Sequence, residues 1–145
     1  MNKESKSSEA EIRAVINEWA NAQRDKNAAG VLSHYAPNLV HFSLAPPLVD
    51  VPPNEKDLNA WFATWQGPIN YEIRDLRITV GSDVAFSHSL NRIQGTNTAG
   101  GKDHLWFRHT LGFRKIDEQW KIVHEHESVP FYMDGRFKAA VDLKP

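Results

Sequence analysis

The segment WKIVHEHESVPF, residues 120–131, alternates two imidazoles and two carboxylates inside an apolar, β-branched run. Successive side chains on a strand point to opposite faces, so His124 and His126 share one side and Glu125 and Glu127 the other. A carboxylate held in an apolar hollow resists ionisation and can take a proton from a carbon acid or activate water. Glu125 is the candidate for that role. His88 is the candidate second acid–base group, because a neutral imidazole both donates and accepts near neutral pH. Tyr35 is the third, a phenol able to donate to a substrate oxygen. Each has a plainer reading. Glu125 could serve a structural ion pair with His109 or an arginine, His88 could be a core histidine bonded to a backbone carbonyl, and Tyr35 could merely cap the helices.

The opposite face carries Arg108, His124 and His126. Histidines at i and i+2 on one strand face can both ligate zinc or iron, but no third ligand is specified and Arg108 would repel the cation. A hydrogen-bonded polar ladder of Arg108, Thr110, His124 and His126 at a dimer interface is the preferred reading, and neither a metal nor a cofactor is expected. Ser87-His88-Ser89 is no nucleophile motif, since neighbours on a strand face apart.

Which charges meet depends on the last hairpin. Residues 115–119, KIDEQ, fit a three-residue loop closed by Lys115 and Gln119 with Glu118 left-handed. Counting outward opposes Leu111 to Val123, His109 to Glu125 and Phe107 to Glu127 on one face. Thr110 then opposes His124, Arg108 opposes His126 and Trp106 opposes Ser128 on the other. Leu105, Phe107, Leu111 and Phe113 make the first face the more apolar, so it is placed on the concave side with Glu125 and His109, joined by Phe86, His88 and Leu90. A one-residue change in loop length would reverse the assignment.

Around these residues the pattern is helices first and strands afterwards. Residues 1–7 read as a polar tail, and residues 8–145 as one domain. Ser8 and Glu11 form a capping box ahead of Ile12, Val15, Ile16 and Trp19, the stripe of an amphipathic helix running to about residue 26. Residues 27–35 read as a short second helix, 39–44 as a short strand, APPLVDVPP as a stiff loop, and 55–65 as a third helix. That third helix brings Trp61 and Trp65 to one side as a lid or wall, although helical aromatic stripes are more often core. Four segments of period-two patterning follow, so the class is α+β with an antiparallel sheet.

The chain has 145 residues, room for one core, and a net charge of -1, which gives no electrostatic case for nucleic acid or an anionic membrane. Cysteine is absent, which removes thiol chemistry and thiolate metal sites. No run approaches the roughly 20 apolar residues of a membrane span and no signal-peptide core is present, so a cytoplasmic address is expected.

The order of elements, with LAPPL at 44–48, WFATWQGP at 61–68, DVAFSHSLNR at 83–92, LWFRHT at 105–110 and WKIVHEHESVP at 120–130, resembles SnoaL-like, ketosteroid isomerase-related proteins of the nuclear transport factor 2-like superfamily. More distantly, WKIVHEHES is similar to the end of the calcium/calmodulin-dependent kinase II association domain. The resemblance implies a cone-shaped fold, a curved sheet wrapped round N-terminal helices, a largely apolar cavity and dimers formed through the outer sheet face. The Tyr and Asp constellation of true ketosteroid isomerases is not matched closely enough to carry over; the residues themselves put a small apolar molecule in the cavity, handled by Glu125, His88 and Tyr35, with Trp61, Trp65, Phe107, His109, Glu127 and Ser43 around it. SnoaL-like relatives carry Asp where Ser43 stands, an apolar residue at Glu127 and Gly at Glu118. The fold hosts isomerases, cyclases, hydrolases and non-catalytic oligomerisation modules, so a non-catalytic ligand-binding or dimerisation module is the alternative to an enzyme.

Overall fold

Asn2, rather than Ser8, starts the first helix. In the computed structural model, which describes residues 2–145, the Asn2 side chain accepts from the Ser5 backbone N–H at 2.8 Å and α1 runs Lys3–Arg24. An asparagine caps as well as a serine, and the Lys, Glu and Ser residues behind it continue the helix, so the segment expected to be a tail is helical from Lys3. Ser8 is a buried helical residue, and Met1 lies outside the described residues. Ile12, Ile16 and Trp19 form the buried stripe, extended one turn by Gln23. Among the described residues no helix is long and apolar enough to cross a membrane.

The next two helices are shorter than their periodicity suggests. Asn27 caps α2 (Ala28–Leu32) and Asn54 caps α3 (Glu55–Phe62), each accepting a backbone N–H of the first turn. Tyr35 and Trp65, expected to close those helices, instead open strands: β1 is Tyr35–Phe42 and β2 is Trp65–Val80. Both aromatics gain more from the sheet's concave face than from a helix end, and Gly67, at φ 73, lies within β2.

With β3 (Val84–Asn97), β4 (Lys102–Ile116) and β5 (Gln119–Ser128), the sheet order is β1-β5-β4-β3-β2. All neighbours are antiparallel except β1, which lies parallel to β5 at the edge. Bulges in β2, one of them around Asp75 at φ 56, bend the open five-stranded sheet round α1, where Trp19, Ile12 and Ile16 meet Leu111, Phe113 and Ile122.

Two departures in the β4–β5 hairpin cancel. The turn has two residues, not three: Asp117 and Glu118 both have positive φ, 50 and 66, and Ile116 pairs with Gln119. That shift alone would carry Glu125 to the outside. A bulge at Val123 adds the missing residue: Phe113 pairs with Ile122, but Gly112 pairs with His124. Leu111 therefore opposes Glu125 and His109 opposes Glu127 inside, while Thr110 opposes His126 and Arg108 opposes Ser128 outside. The faces are those expected, with partners moved along by two residues.

On β3 the expected faces are exchanged. Ser89 pairs with His109 and Asn91 with Phe107, so Ala85, Ser87, Ser89 and Asn91 are the buried residues, and Phe86 and His88 are exposed on the outer side. The small residues take the crowded concave surface, which the greater hydrophobicity of Phe86 and Leu90 concealed.

Glu118 holds a left-handed backbone that costs a non-glycine residue about 1 kcal/mol or more. Glu118→Gly is expected to raise the unfolding free energy by roughly 0.5–1 kcal/mol, after allowing for glycine's extra chain entropy. Denaturant titration measures this, and a destabilised variant would mean that the exposed Lys115–Glu118 pair matters more than the backbone.

Candidate active site

The concave face encloses a cavity of about 620 Å³, walled by Trp61, Trp65, Leu58, Leu105 and Phe107 and floored by Tyr35, His41, Glu125 and Glu127. Parallel pairing of β1 with β5 sets His41 beside Glu125. The proline-rich loop then folds back, Asp50 N–H donating to the His41 carbonyl at 2.9 Å, which brings the Asp50 carboxylate to 3.7 Å from His41 Nδ1.

Glu125 is only 3 % exposed and both its oxygens are engaged. Tyr35 donates to Oε1 at 2.7 Å, and His109 Nε2 lies 2.7 Å from Oε2. Trp19 in turn donates to Tyr35 at 3.1 Å and stacks on His109 with ring centroids 5.3 Å apart. Tyr35 thus spends its proton on Glu125 and an acceptor site on Trp19, an anchoring role rather than that of an oxyanion donor. Burial opposes the charge on Glu125, but the bond and charge of His109, with His41 and Tyr35, outweigh it and hold the carboxyl below its ordinary value.

Glu127, two residues along, has only one such partner, His41 Nε2 at 3.0 Å. Burial raises Glu127, the neighbouring Glu125 charge raises it further, and the His41 bond only partly offsets them, so it stays above the ordinary carboxylate value. For His41, burial disfavours the cation, yet the Glu127 bond and the charges of Glu125, Glu127 and Asp50 prevail and raise its pKa. One carboxyl is pushed down and its neighbour up, the pattern of an acid–base pair. Tyr71 completes the polar set. Its oxygen accepts from Asn91 at 2.8 Å, Asn91 accepts from Ser89 at 2.7 Å, and burial followed by the two glutamates keeps the phenol protonated.

Among the residues proposed from sequence, Glu125, Glu127, Tyr35, Ser43, Trp61, Trp65 and Phe107 converge on this cavity. His109 sits immediately behind Glu125. His88 does not converge: it faces outward beside Arg77, Arg108 and Thr110. Arg108, Thr110, His124 and His126 do share the outer face, but they do not hydrogen-bond to one another as a ladder. Arg108 Nε donates to Ser128 at 3.1 Å, the His124 ring meets the Val40 carbonyl at 2.9 Å, and Phe42 packs edge-on against His124 and His126. His41, Asp50 and Tyr71 were not singled out in the sequence. His41 carries a signal only once β1 is known to pair with β5, Tyr71 only once β2's inward parity is known, and Asp50 lies in a loop without periodicity. Among the described residues, His41, Glu125 and Glu127 are the group able to hold a metal, their ligating atoms lying within 4.8 Å of one another.

An open, curved α+β sheet with helices over a polar-floored pocket defines a nuclear transport factor 2-like protein, and a model of the SnoaL-like domain matches residues 12–132. The chain belongs to the SnoaL-like family. It is similar to a nuclear transport factor 2-like protein of unknown function from Pseudomonas putida, with 31% identity, 97% of this chain and 99% of that chain covered, and a TM-score of 0.83. A provisionally assigned scytalone dehydratase from Novosphingobium aromaticivorans is 15% identical over 100% and 99% of the two chains, TM-score 0.79. A provisionally assigned ketosteroid isomerase from Shewanella frigidimarina is 26% identical over 79% and 92%, TM-score 0.65. No curated protein matches the chain.

The pKa directions predict how stability changes with pH. His41 is raised above its ordinary 6.5, so its contribution is complete below that pH and is lost as pH climbs through the folded value. Glu125 is lowered from 4.5, so its contribution is present above that pH and is lost on further acidification. The stability advantage of wild type over His41→Gln is therefore expected to be larger at pH 6 than at pH 8.5 in denaturant titrations. An advantage that grows towards alkaline pH would show that the fold prefers the neutral imidazole.

Proposed function

We propose that this protein is a small-molecule enzyme that moves a proton on an apolar, carbonyl-bearing substrate, as an isomerase or dehydratase does. The observation that carries this reading is the unequal pair Glu125 and Glu127 at the floor of a largely apolar cavity. Glu127, whose pKa burial raises above the ordinary carboxylate value, takes a proton from the carbon next to the carbonyl and returns it elsewhere. Its partner His41 and the uncommitted Tyr71 hydroxyl are the donors for the developing enolate oxygen. Glu125, locked by Tyr35 and His109, places a negative charge beside His41 that, after the Glu127 hydrogen bond, helps to raise the imidazole's pKa. A ligand is also favoured by two buried atoms without a protein partner, Gln23 Oε1 and Trp65 Nε1, on side chains that line the same cavity. The relatives provisionally assigned as a dehydratase and a ketosteroid isomerase are consistent with this class of chemistry.

Deuterium uptake next to the carbonyl of a bicyclic enone in heavy water, followed by NMR, tests the reading. Wild type is expected to exceed the buffer rate, and Glu127→Gln to lose about 10²- to 10⁴-fold. A wild type no faster than buffer, with no change in Trp61 and Trp65 fluorescence on adding the enone, would favour the non-catalytic module instead.

The outer face supports a homodimer in either case. Val40 is 42 % exposed beside Phe42, and Arg108, Ser128 and His126 offer polar partners around that apolar patch. Light scattering is expected to give twice the chain mass for wild type and the single mass for Thr110→Arg. A monomeric wild type would remove the dimer.

A further inference from the structure

We propose that His41, Glu125 and Glu127 bind a first-row divalent cation of the zinc class. Donors about 2.1 Å from a metal lie about 3.0 Å apart in an octahedron and about 3.4 Å apart in a tetrahedron. His41 Nε2 stands 3.0 Å from Glu127 Oε1 and 3.6 Å from Glu125 Oε1, two spacings close to the edges of a coordination polyhedron, and the three ligating atoms lie within 4.8 Å of one another. All three ligands sit on paired strands β1 and β5, rigid elements that hold such a spacing.

Charge points the same way. Two carboxylates and a neutral imidazole total two negative charges, and no lysine or arginine lines the cavity among the described residues. The surrounding groups match those that orient metal ligands. The Asp50 carboxylate lies 3.7 Å from His41 Nδ1, behind the ring nitrogen that faces the glutamates, while His109 and Tyr35 both bond to Glu125. One nitrogen and two oxygen donors suit zinc, iron or manganese, and the affinity order of such sites places zinc above manganese. The cavity side of the triad stays open, leaving positions for water or a ligand oxygen. The cation takes the place of the proton shared by His41 and Glu127, so it competes with the proton transfer proposed above. Its binding is nevertheless independent of that reading, because it is measured without turnover.

Calorimetric titration of chelator-treated protein with zinc chloride, then manganese chloride, tests the proposal. The expected result is one zinc per chain, manganese weaker, and an affinity reduced at least tenfold in both His41→Ala and the isosteric Glu127→Gln. The outer-face variant His124→Ala/His126→Ala is the control and is expected to bind as wild type does. Absence of zinc binding, binding unchanged in Glu127→Gln, or loss only in the outer-face variant would each overturn the proposal. Circular dichroism confirms that each variant is folded, and Glu127→Gln decides the matter should His41→Ala unfold. Failure here leaves the enone experiment standing, and failure there leaves this one standing.

Discussion

The buried carboxylate of Glu125 is the constraint on which the rest of the site depends. An ionised group at 3 % exposure is tolerable only if its oxygens are fully bonded, and here Tyr35 and His109 each occupy one of them. Those two donors come from the start of β1 and the middle of β4, and Trp19 of α1 braces both. A single charge therefore ties the first helix and three strands to one point. Removing either donor would strand part of a buried charge, a larger loss than an ordinary hydrogen bond.

Around this anchor, function and stability divide along the strand. Glu125 has a donor on each oxygen and is the anchored carboxylate of the two. Glu127 shares the same face but has only His41 to satisfy it, and the adjacent negative charge makes its ionisation harder. The opposite pKa directions of the two carboxyls follow from the number of donors each can reach. His41 links the two, because parallel pairing of β1 and β5 sets it level with Glu125 while its ring reaches Glu127.

The hairpin turn and the Val123 bulge matter for the same reason. A two-residue turn joins β4 and β5 tightly, but alone it would direct the acidic pair outward and the histidines inward. One inserted residue reverses this, and Gly112 makes room for it, since a Cβ there would approach that of His124 to 3.2 Å.

Much of the architecture was legible in the residues themselves. The periodic stripe of α1, the four-strand pattern and the apolar face of Phe107, Leu111 and Phe113 are local or nearly local features, and period alone reports them. The alternation of residues 124–127 likewise determined that both glutamates would share one face and both histidines the other. What tertiary structure decided was where those faces lie and what they meet. His88 turned outward because its parity follows from long-range pairing with β4. Tyr35 and Trp65 left their helices for strands because the sheet offered more burial. His41 and Asp50 reached the site through contacts across more than 80 residues of chain and through a loop reversal, and neither leaves a periodic trace in the sequence. Side-chain period is a property of neighbours along the chain, whereas a site is a property of neighbours in space.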